Sequence, residues 1–237
     1  MTDHASPRSR SKLSIGQSNQ QAGLSLRRMR RTKRPSVFNT PGPHVALSEL
    51  LIVIAALVCS VRYGKAGLWP AAIGSLLFGV IAAIGALRFG AELLEQLASL
   101  HQGFSQIGGA IAMSLIAVQL LMLGLLSGSK YRLAASGPLI ASGLVAILMP
   151  SLTMPMFLIW LMIAIVAAGL LPARGFRLRI SRAVVTGIFL FNVIAIRQSP
   201  LLGVGLSWHL FHIFIAVWLL GLLWVMPLRN SHMDASN

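Results

Sequence analysis

The sequence predicts an all-α protein, a polytopic membrane bundle with about seven transmembrane helices. Of its 237 residues, 56% are hydrophobic and 11% are charged, and the mean hydropathy is +0.77. Soluble domains carry about 25% charged residues, so this composition is typical of a membrane protein. The apolar residues also form long runs. Because a bilayer core about 30 Å thick is crossed by roughly 20 helical residues, the chain after residue 44 has room for about seven crossings.

The segment 1–44 is predicted to be a disordered basic arm, since it is polar and lacks apolar periodicity. Nine of the twenty Lys and Arg residues lie in its first 34 positions, so the formal net charge of +15 mostly describes this arm. Its segment LRRMRRTKR, at 26–34, suits contact with anionic lipid headgroups, non-specific contact with nucleic acid, or an organellar transit peptide. No nucleic-acid partner is expected beyond such contact.

The segment 45–228 is predicted to form the transmembrane domain, and 229–237 a short polar tail. The predicted crossings are 45–61, 66–87, 104–126, 133–149, 155–171, 183–196 and 205–226. Charge and proline cluster in the breaks between them. The sixth run has only fourteen residues before Arg197, which leaves open a tilted segment, a helix extended past its ends, or one that does not span. Trp69, Trp208 and Trp224 fall near run ends and are expected to be interfacial anchors.

With seven crossings, one face of the membrane receives nine basic residues from loops and tail. They are Arg62, Lys65, Lys130, Arg132, Arg174, Arg177, Arg179, Arg182 and Arg229. The positive-inside rule makes this face the inner one and the N-terminus external. The arm raises the opposite face to eleven basic residues, which conflicts with this assignment. Four alternatives would remove the conflict and stay open: an N-inside topology, a cleaved arm, a start at Met29, or an even number of crossings. The compact loops and the single Cys59 suit a bacterial inner membrane.

The parity of the crossings gathers ionisable residues on one face, whichever orientation holds. The start of the first helix, the loop after the second and the start of the seventh lie together there. They carry every carboxylate and histidine of the membrane domain: Glu49, Glu92, Glu95, His101, His209 and His212. Charged residues at membrane depth cost about 2.5–3.5 kcal/mol on insertion scales, so this group is a candidate functional site.

Two of these histidines have the spacing of paired metal ligands. His209 and His212 are three residues apart, differ by about 60° around a helix, and can face one cavity. Neutral imidazoles suit zinc, and His101 is predicted to be a further ligand. Zinc lowers the pKa of bound water to about 7, and Glu49 and Glu92 are the candidate catalytic carboxylates.

Structural roles for the same residues stay open. The two histidines at the helix end can hydrogen-bond carbonyl groups or a neighbouring helix, and Glu49 can pair with Arg88. Glu92 and Glu95 also fit the wet face of a short amphipathic helix. The amides of Gln119 and Asn192, inside the third and sixth runs, are typical of interhelical hydrogen bonds rather than ligands.

Three segments resemble the CREST superfamily of seven-helix membrane proteins, which includes alkaline ceramidases and the progestin and adiponectin receptors. They are SELLIVIAALV in the first helix, IAAIGALRFG closing the second and SWHLFHIFIAVWLL in the seventh, and they are most similar to a bacterial branch. The resemblance implies a zinc site with one histidine from the second helix and two from the seventh, and hydrolysis of lipid amide or ester bonds.

The resemblance departs from the family at three positions. Phe89 stands where the histidine of the second helix is expected, and Gly85 where a serine is usual four residues earlier. Trp208 precedes His212 by four residues, where members often carry the first histidine of an H-x-x-x-H pair. Either His101, Glu92 or Glu95 supplies the missing ligand, or the chain keeps the fold without the chemistry.

Two functions therefore compete. One is a divergent zinc-dependent hydrolase acting on a lipid or other amphiphilic small molecule, and the other a non-enzymatic seven-helix protein with a structural, partner-binding or receptor-like role. Membrane lipids are the expected surroundings in both. A transporter is disfavoured because no pair of broken helices stands out, and a retinal protein because no lysine follows Lys130. A haem bound between His101 and His212 is a further alternative, and this pair of histidines is its only support in the sequence.

Overall fold

The computed structural model describes residues 43–125 and 129–226, with the backbone alone at 129–136, 138 and 139. These ranges contain seven helices and no strand. The helices are α1 (Val45–Lys65), α2 (Trp69–Gly90), α3 (Ala98–Gly124), α4 (Ser129–Leu148), α5 (Pro150–Leu170), α6 (Phe176–Ile196) and α7 (Val204–Val225). The predicted tail at 229–237 and the predicted arm, except for its last two residues, lie outside the described residues.

Six of these helices are long and apolar enough to cross a membrane: α1, α2, α3, α5, α6 and α7. The protein is therefore an all-helical, multi-pass integral membrane protein in contact with lipid. A seventh crossing by α4 stays a prediction. The outward face of α1 illustrates the lipid contact, because Ile54, Leu57 and Val61 are all exposed and would be costly in water. Burial is greatest in α3 and least in α6.

The sixth helix begins earlier than its apolar run. It starts at Phe176 instead of residue 183. Of the three alternatives for this run, the structure shows a helix that extends past the end of the apolar segment. Gly175 ends the preceding connection, and nothing in FRLRISR breaks a helix. Long arginine side chains can bury their stems along a helix and keep their charge near water. Arg182, for example, donates from Nη1 to the carbonyl oxygen of Pro172, at 3.0 Å.

The two ends of the bundle differ in charge among the described residues. We call the end where α1, α3, α5 and α7 begin the polar end, because Glu49, Glu92 and Glu95 all lie there. We call the opposite end the basic end, since it carries Arg62, Lys65, Arg174, Arg177, Arg179 and Arg182 and no described carboxylate. This grouping confirms the parity argument for the residues that the structure describes.

Aromatic rings form the core beneath the polar end. Phe189 packs against Trp218 and Phe78, with ring centroids 4.5 and 6.0 Å apart. The indole Nε1–H of Trp218 donates to the carbonyl oxygen of Thr186 at 3.0 Å, which ties α7 to α6. Nearer the polar end, Asn192 Nδ2 donates to the carbonyl oxygen of Phe211 at 2.8 Å. The interpretation of Asn192 as interhelical bonding is thus confirmed.

Two helices carry a π-helical segment at the same end. In α3 it covers Phe104–Gly108, and in α6 it covers Asn192–Ile196. Such segments insert an extra residue into a helix and are frequent at functional sites. Both lie beside the cavity described next.

Candidate functional site

A cavity of about 490 Å³ opens at the polar end, and its walls come from α1, α2, α3, α5, α6 and α7. The size is typical of small-molecule sites. Its polar lining residues are Glu49, His101, Ser105, Gln106, Ser151, Thr153, Arg197, Trp208 and His212. Deeper in the bundle the lining is aromatic, with Phe78, Phe157 and Phe189. The cavity is therefore polar at its mouth and apolar at its floor.

Glu49, on the second turn of α1, is the centre of the polar group. It is only 2% exposed, and its Oε1 lies 3.1 Å from His212 Nε2 and 4.0 Å from His101 Nε2. His212 comes from α7 and His101 from the first turn of α3, so three helices converge here. A carboxylate at this depth is costly unless it is paired, and the two imidazoles are its partners. Among the described residues, Glu49 makes no ion pair with Arg88, so that alternative is not observed.

The protonation of His212 follows from its second contact. Its Nδ1 lies 2.7 Å from the carbonyl oxygen of Trp208, and a carbonyl can only accept, so Nδ1 carries a proton. In the neutral ring Nε2 would then present a lone pair to Glu49 Oε1. Two acceptors at 3.1 Å repel each other unless the pair holds one more proton, on the carboxyl group or on the imidazole.

The Oε1 atom of Glu49 has room for a further partner. Although His212 Nε2 is close, the two atoms are not aligned as a hydrogen bond, and Oε1 is buried without one among the described residues. The indole Nε1 of Trp208 is likewise buried without an acceptor in the part of the chain that is described. One unmatched acceptor and one unmatched donor thus belong to residues that line the same cavity.

His101 is held by an arginine. Its Nδ1 lies 3.5 Å from Nη1 of Arg88, which also donates from Nε to the carbonyl oxygen of Leu94 at 3.0 Å. Because a guanidinium only donates, Nδ1 of His101 accepts, and the proton of the neutral ring lies on Nε2, towards Glu49. Arg88 also stacks over Phe89, with its guanidinium carbon 5.2 Å from the ring centroid.

Gly85 on α2 makes this convergence possible. A Cβ atom at this position would lie 2.5 Å from Glu49 Oε1, a distance that real Cβ atoms essentially never show, and 3.0 Å from His101 Nε2, which is a tight contact. One turn later, Phe89 is 3% exposed and meets His101 and Trp208 edge-on, at centroid distances of 6.3 and 5.8 Å. The resemblance implies a serine and a histidine at these two positions of α2. In this chain Gly85 instead leaves space for Glu49, and Phe89 packs against its neighbours.

Two of the predicted site residues lie elsewhere. His209 does not line the cavity; its Nδ1 lies 3.2 Å from Ser48 Oγ, and its ring stacks at 5.1 Å on His44. The 60° between His209 and His212 turns the two rings to different neighbours. Glu92 is exposed in the connection between α2 and α3, outside the cavity lining, and its φ of 57° places it in the left-handed region. Glu95 is exposed there too.

Of the two histidines in the cavity, His212 is suited to bind a zinc ion and His101 is not. A metal-bound histidine donates its other N–H to a carbonyl or carboxylate, as His212 does to Trp208. His101 faces a donor, Arg88, on its Nδ1 side, which keeps the proton on the nitrogen that would bind the metal. Over residues 43–125 and 129–226, no three His, Cys, Asp or Glu side chains are arranged to hold a metal ion. Zinc therefore stays a prediction.

Among the cavity residues that sequence reasoning did not assign to a site, three form the wall around the mouth: Trp208, Phe211 and Arg197. Trp208, which was expected near the membrane interface, is a half-buried residue of the cavity wall, and Phe211 lines the cavity beside it. Arg197 lies at the mouth, with its guanidinium carbon 4.8 Å from the Phe211 ring centroid and 6.0 Å from that of Trp208. Parity already placed Arg197 at this end of the bundle, and that was the available signal.

The chain was compared with protein-family models, with curated proteins and with solved structures, and nothing matched in any of the three. The likeness to the CREST superfamily thus rests on three short segments. Among their positions, Phe89 and Gly85 have the packing roles described above.

Proposed function

We propose that this integral membrane protein binds an amphiphilic small molecule in the cavity at its polar end, as a receptor-like protein without a chemical step. The observation that carries the proposal is the polarity gradient along one cavity. Arg197 lies at the mouth, Glu49 and two histidines lie below it, and aromatic rings form the floor. Arg197 directly follows α6 and lies eight positions after Phe189, which corresponds to about 12 Å along a helix. An amphiphile would match this gradient with its headgroup at the mouth and its chain at the floor.

The unmatched polar atoms support a bound ligand. Leaving a buried donor or acceptor without a partner costs about 1–3 kcal/mol. Glu49 Oε1 and Trp208 Nε1 both have this status among the described residues. A ligand, or water carried with it, that offers a donor and an acceptor would remove both costs. An apolar cavity formed only by imperfect packing would have no polar atoms of this kind.

The two π-helical segments support the same conclusion. The segment in α3 places Ser105 and Gln106 in the cavity lining, and the segment in α6 supplies Val193. A π-helical segment weakens the regular bonding of a helix, so its presence in two walls of one cavity favours a functional reason.

The test is ligand-dependent thermal stability of the detergent-purified protein, with a single-chain amphiphile as the probe. A ligand at one hundred times its Kd stabilises a protein by about 2.7 kcal/mol, which is measurable as a rise in Tm. Ala82→Phe would fill the cavity, because Ala82 is buried and lines it. The matched control is Ala83→Phe, since Ala83 lines a shallow groove on the outer surface of α1 and α2.

We expect the amphiphile to raise Tm in the native chain and in Ala83→Phe, and not in Ala82→Phe. Val193→Trp fills the cavity from α6 and is expected to behave like Ala82→Phe. An equal rise in all four proteins would mean binding to the outer surface, and would refute the proposal.

A second candidate function is hydrolysis of a lipid amide or ester bond by a zinc site, as the CREST-like segments imply. One observation favours it: the Nδ1–H of His212 bonds to the carbonyl oxygen of Trp208, which leaves Nε2 facing Glu49. Bound zinc would supply a water molecule with a pKa of about 7. The contact between Arg88 and His101 speaks against it, so this function takes second place.

A further inference from the structure

We infer that the ligand of the cavity carries an anionic headgroup, a carboxylate or a phosphate, and that Arg197 selects it. The inference rests on the proposed function, since it names the class of amphiphile that the cavity takes. Three features of the mouth lead to it: the charge of Arg197, the burial of Glu49 beneath the mouth, and the N-terminal end of α5.

Arg197 is exposed and has no carboxylate partner among the described residues, where the ion pairs join Glu49 to histidines alone. Its guanidinium lies over the rings of Phe211 and Trp208. A guanidinium held over aromatic faces still directs its N–H groups outward in its own plane, where they match the two oxygens of a carboxylate or phosphate. The rings thus orient the arginine without neutralising it.

The cavity lining contains one cation and one carboxylate, Arg197 and Glu49. Glu49 is 2% exposed and lies 3.1 Å from His212, so its carboxyl group is inside the wall, beneath the mouth. Arg197, at the mouth, is therefore the first charge that a ligand meets on entering. A cationic headgroup would be repelled at the mouth by Arg197 before it reached the carboxylate.

The beginning of α5 adds to this positive field. Pro150, Ser151 and Thr153 line the mouth at the N-terminal end of a helix that runs to Leu170. The N-terminal end of a helix carries the positive end of its dipole, and α5 has no acidic residue in its first turn. Gln106, from α3, adds an uncharged amide group to the lining. An anion at the mouth would thus meet Arg197, directly after α6, and the N-terminal end of α5.

The experiment measures the affinity of the purified full-length chain for four probes that share a chain of twelve carbon atoms. They are dodecyl phosphate, laurate, dodecyltrimethylammonium and uncharged dodecanol. We expect the two anions to bind about 10-fold more tightly than the cation and the alcohol, since hydrogen bonds to a charged group are the stronger ones. The better of the two anions then identifies the headgroup as phosphate or carboxylate.

Three substitutions locate the selectivity. Arg197→Gln is expected to weaken binding of the anions about 10-fold and to leave binding of dodecanol unchanged. Arg197→Lys keeps the charge and is expected to lose less than Arg197→Gln. The matched control, Arg179→Gln, removes an exposed arginine at the basic end and is expected to change nothing.

The outcomes separate this inference from the proposed function. Equal affinity for all four probes, abolished by Ala82→Phe, would overturn the anionic headgroup and leave the amphiphile cavity standing. Equal losses of anion and dodecanol binding in Arg197→Gln would also overturn it, because Arg197 would then not recognise the charge of the headgroup. Binding of no probe, or binding insensitive to Ala82→Phe, would refute the proposed function itself.

Discussion

Glu49 on α1 and His212 on α7 lie with Oε1 and Nε2 3.1 Å apart, and both side chains are almost fully buried. The contact joins the first and last of the described helices at the polar end of the bundle. In the neutral ring it sets two acceptor atoms against each other, because the other nitrogen of His212 donates to a carbonyl oxygen. The consequences can be measured in the purified protein.

Substitution of Glu49 should show how much its contact with His212 contributes to the free energy of unfolding. In Glu49→Gln the amide can donate to His212 Nε2 without a shared proton, so we expect little change in the free energy of unfolding. In Glu49→Ala the imidazole keeps a buried nitrogen without its partner, and we expect a loss of about 3 kcal/mol. Thermal unfolding in detergent measures both. No loss of stability in Glu49→Ala would show that the contact has no part in stability.

Gly85 should not tolerate a side chain. A Cβ atom there would meet Glu49 Oε1 at 2.5 Å, so Gly85→Ala is expected to push the carboxylate away and destabilise the protein by about 1–3 kcal/mol. The control is Gly143→Ala on α4, where a Cβ atom meets nothing within 4 Å and alanine favours the helix by about 1 kcal/mol. A harmless Gly85→Ala would mean that Glu49 does not occupy this space.

Glu92 offers a test of its predicted catalytic role. Its φ of 57° is strained for a residue with a side chain, so Glu92→Gly should stabilise the protein by about 1 kcal/mol. Glu95→Gly, in the same connection, relieves no such strain and should not stabilise. We expect ligand binding to be unchanged in both, since neither residue lines the cavity. A loss of binding or of lipid hydrolysis in Glu92→Gly would restore Glu92 to the site.

Zinc content decides between the two candidate functions. Elemental analysis of the native chain should give well under one zinc per chain, because Arg88 holds the proton of His101 on the nitrogen that faces Glu49. One zinc per chain, lost in His212→Ala and kept in His209→Ala, would favour the hydrolase and justify a lipid-amide assay. Loss in both variants would bring His209 back as a ligand.

The sidedness of the bundle can be read with single cysteines. The one natural cysteine, Cys59, is fully buried and donates to the carbonyl oxygen of Leu219, so it should not react. Ser151→Cys places an exposed thiol at the polar end, and Ser181→Cys places one near the basic end. With the basic end inside, a membrane-impermeant maleimide added to intact cells should label Ser151→Cys alone. Labelling of Ser181→Cys alone would establish the opposite topology.

The composition and the length of the apolar runs determined the class of this protein. In hydrocarbon every backbone polar group must be bonded within its own segment, so long apolar runs imply helices, and run length then implies crossings. Parity alone placed Glu49, His101 and His212 at one end of the bundle. Arg197 was placed there as well, although nothing in the sequence marked it as part of a cavity.

Only the tertiary structure decided which of these side chains meet. The rotation of each helix about its axis depends on packing against its neighbours, and no local pattern encodes it. That rotation turned His212 towards Glu49 and His209 towards Ser48, although the two histidines are one turn apart. The absence of a side chain at Gly85 then let α1 and α3 bring a carboxylate and an imidazole to the same point.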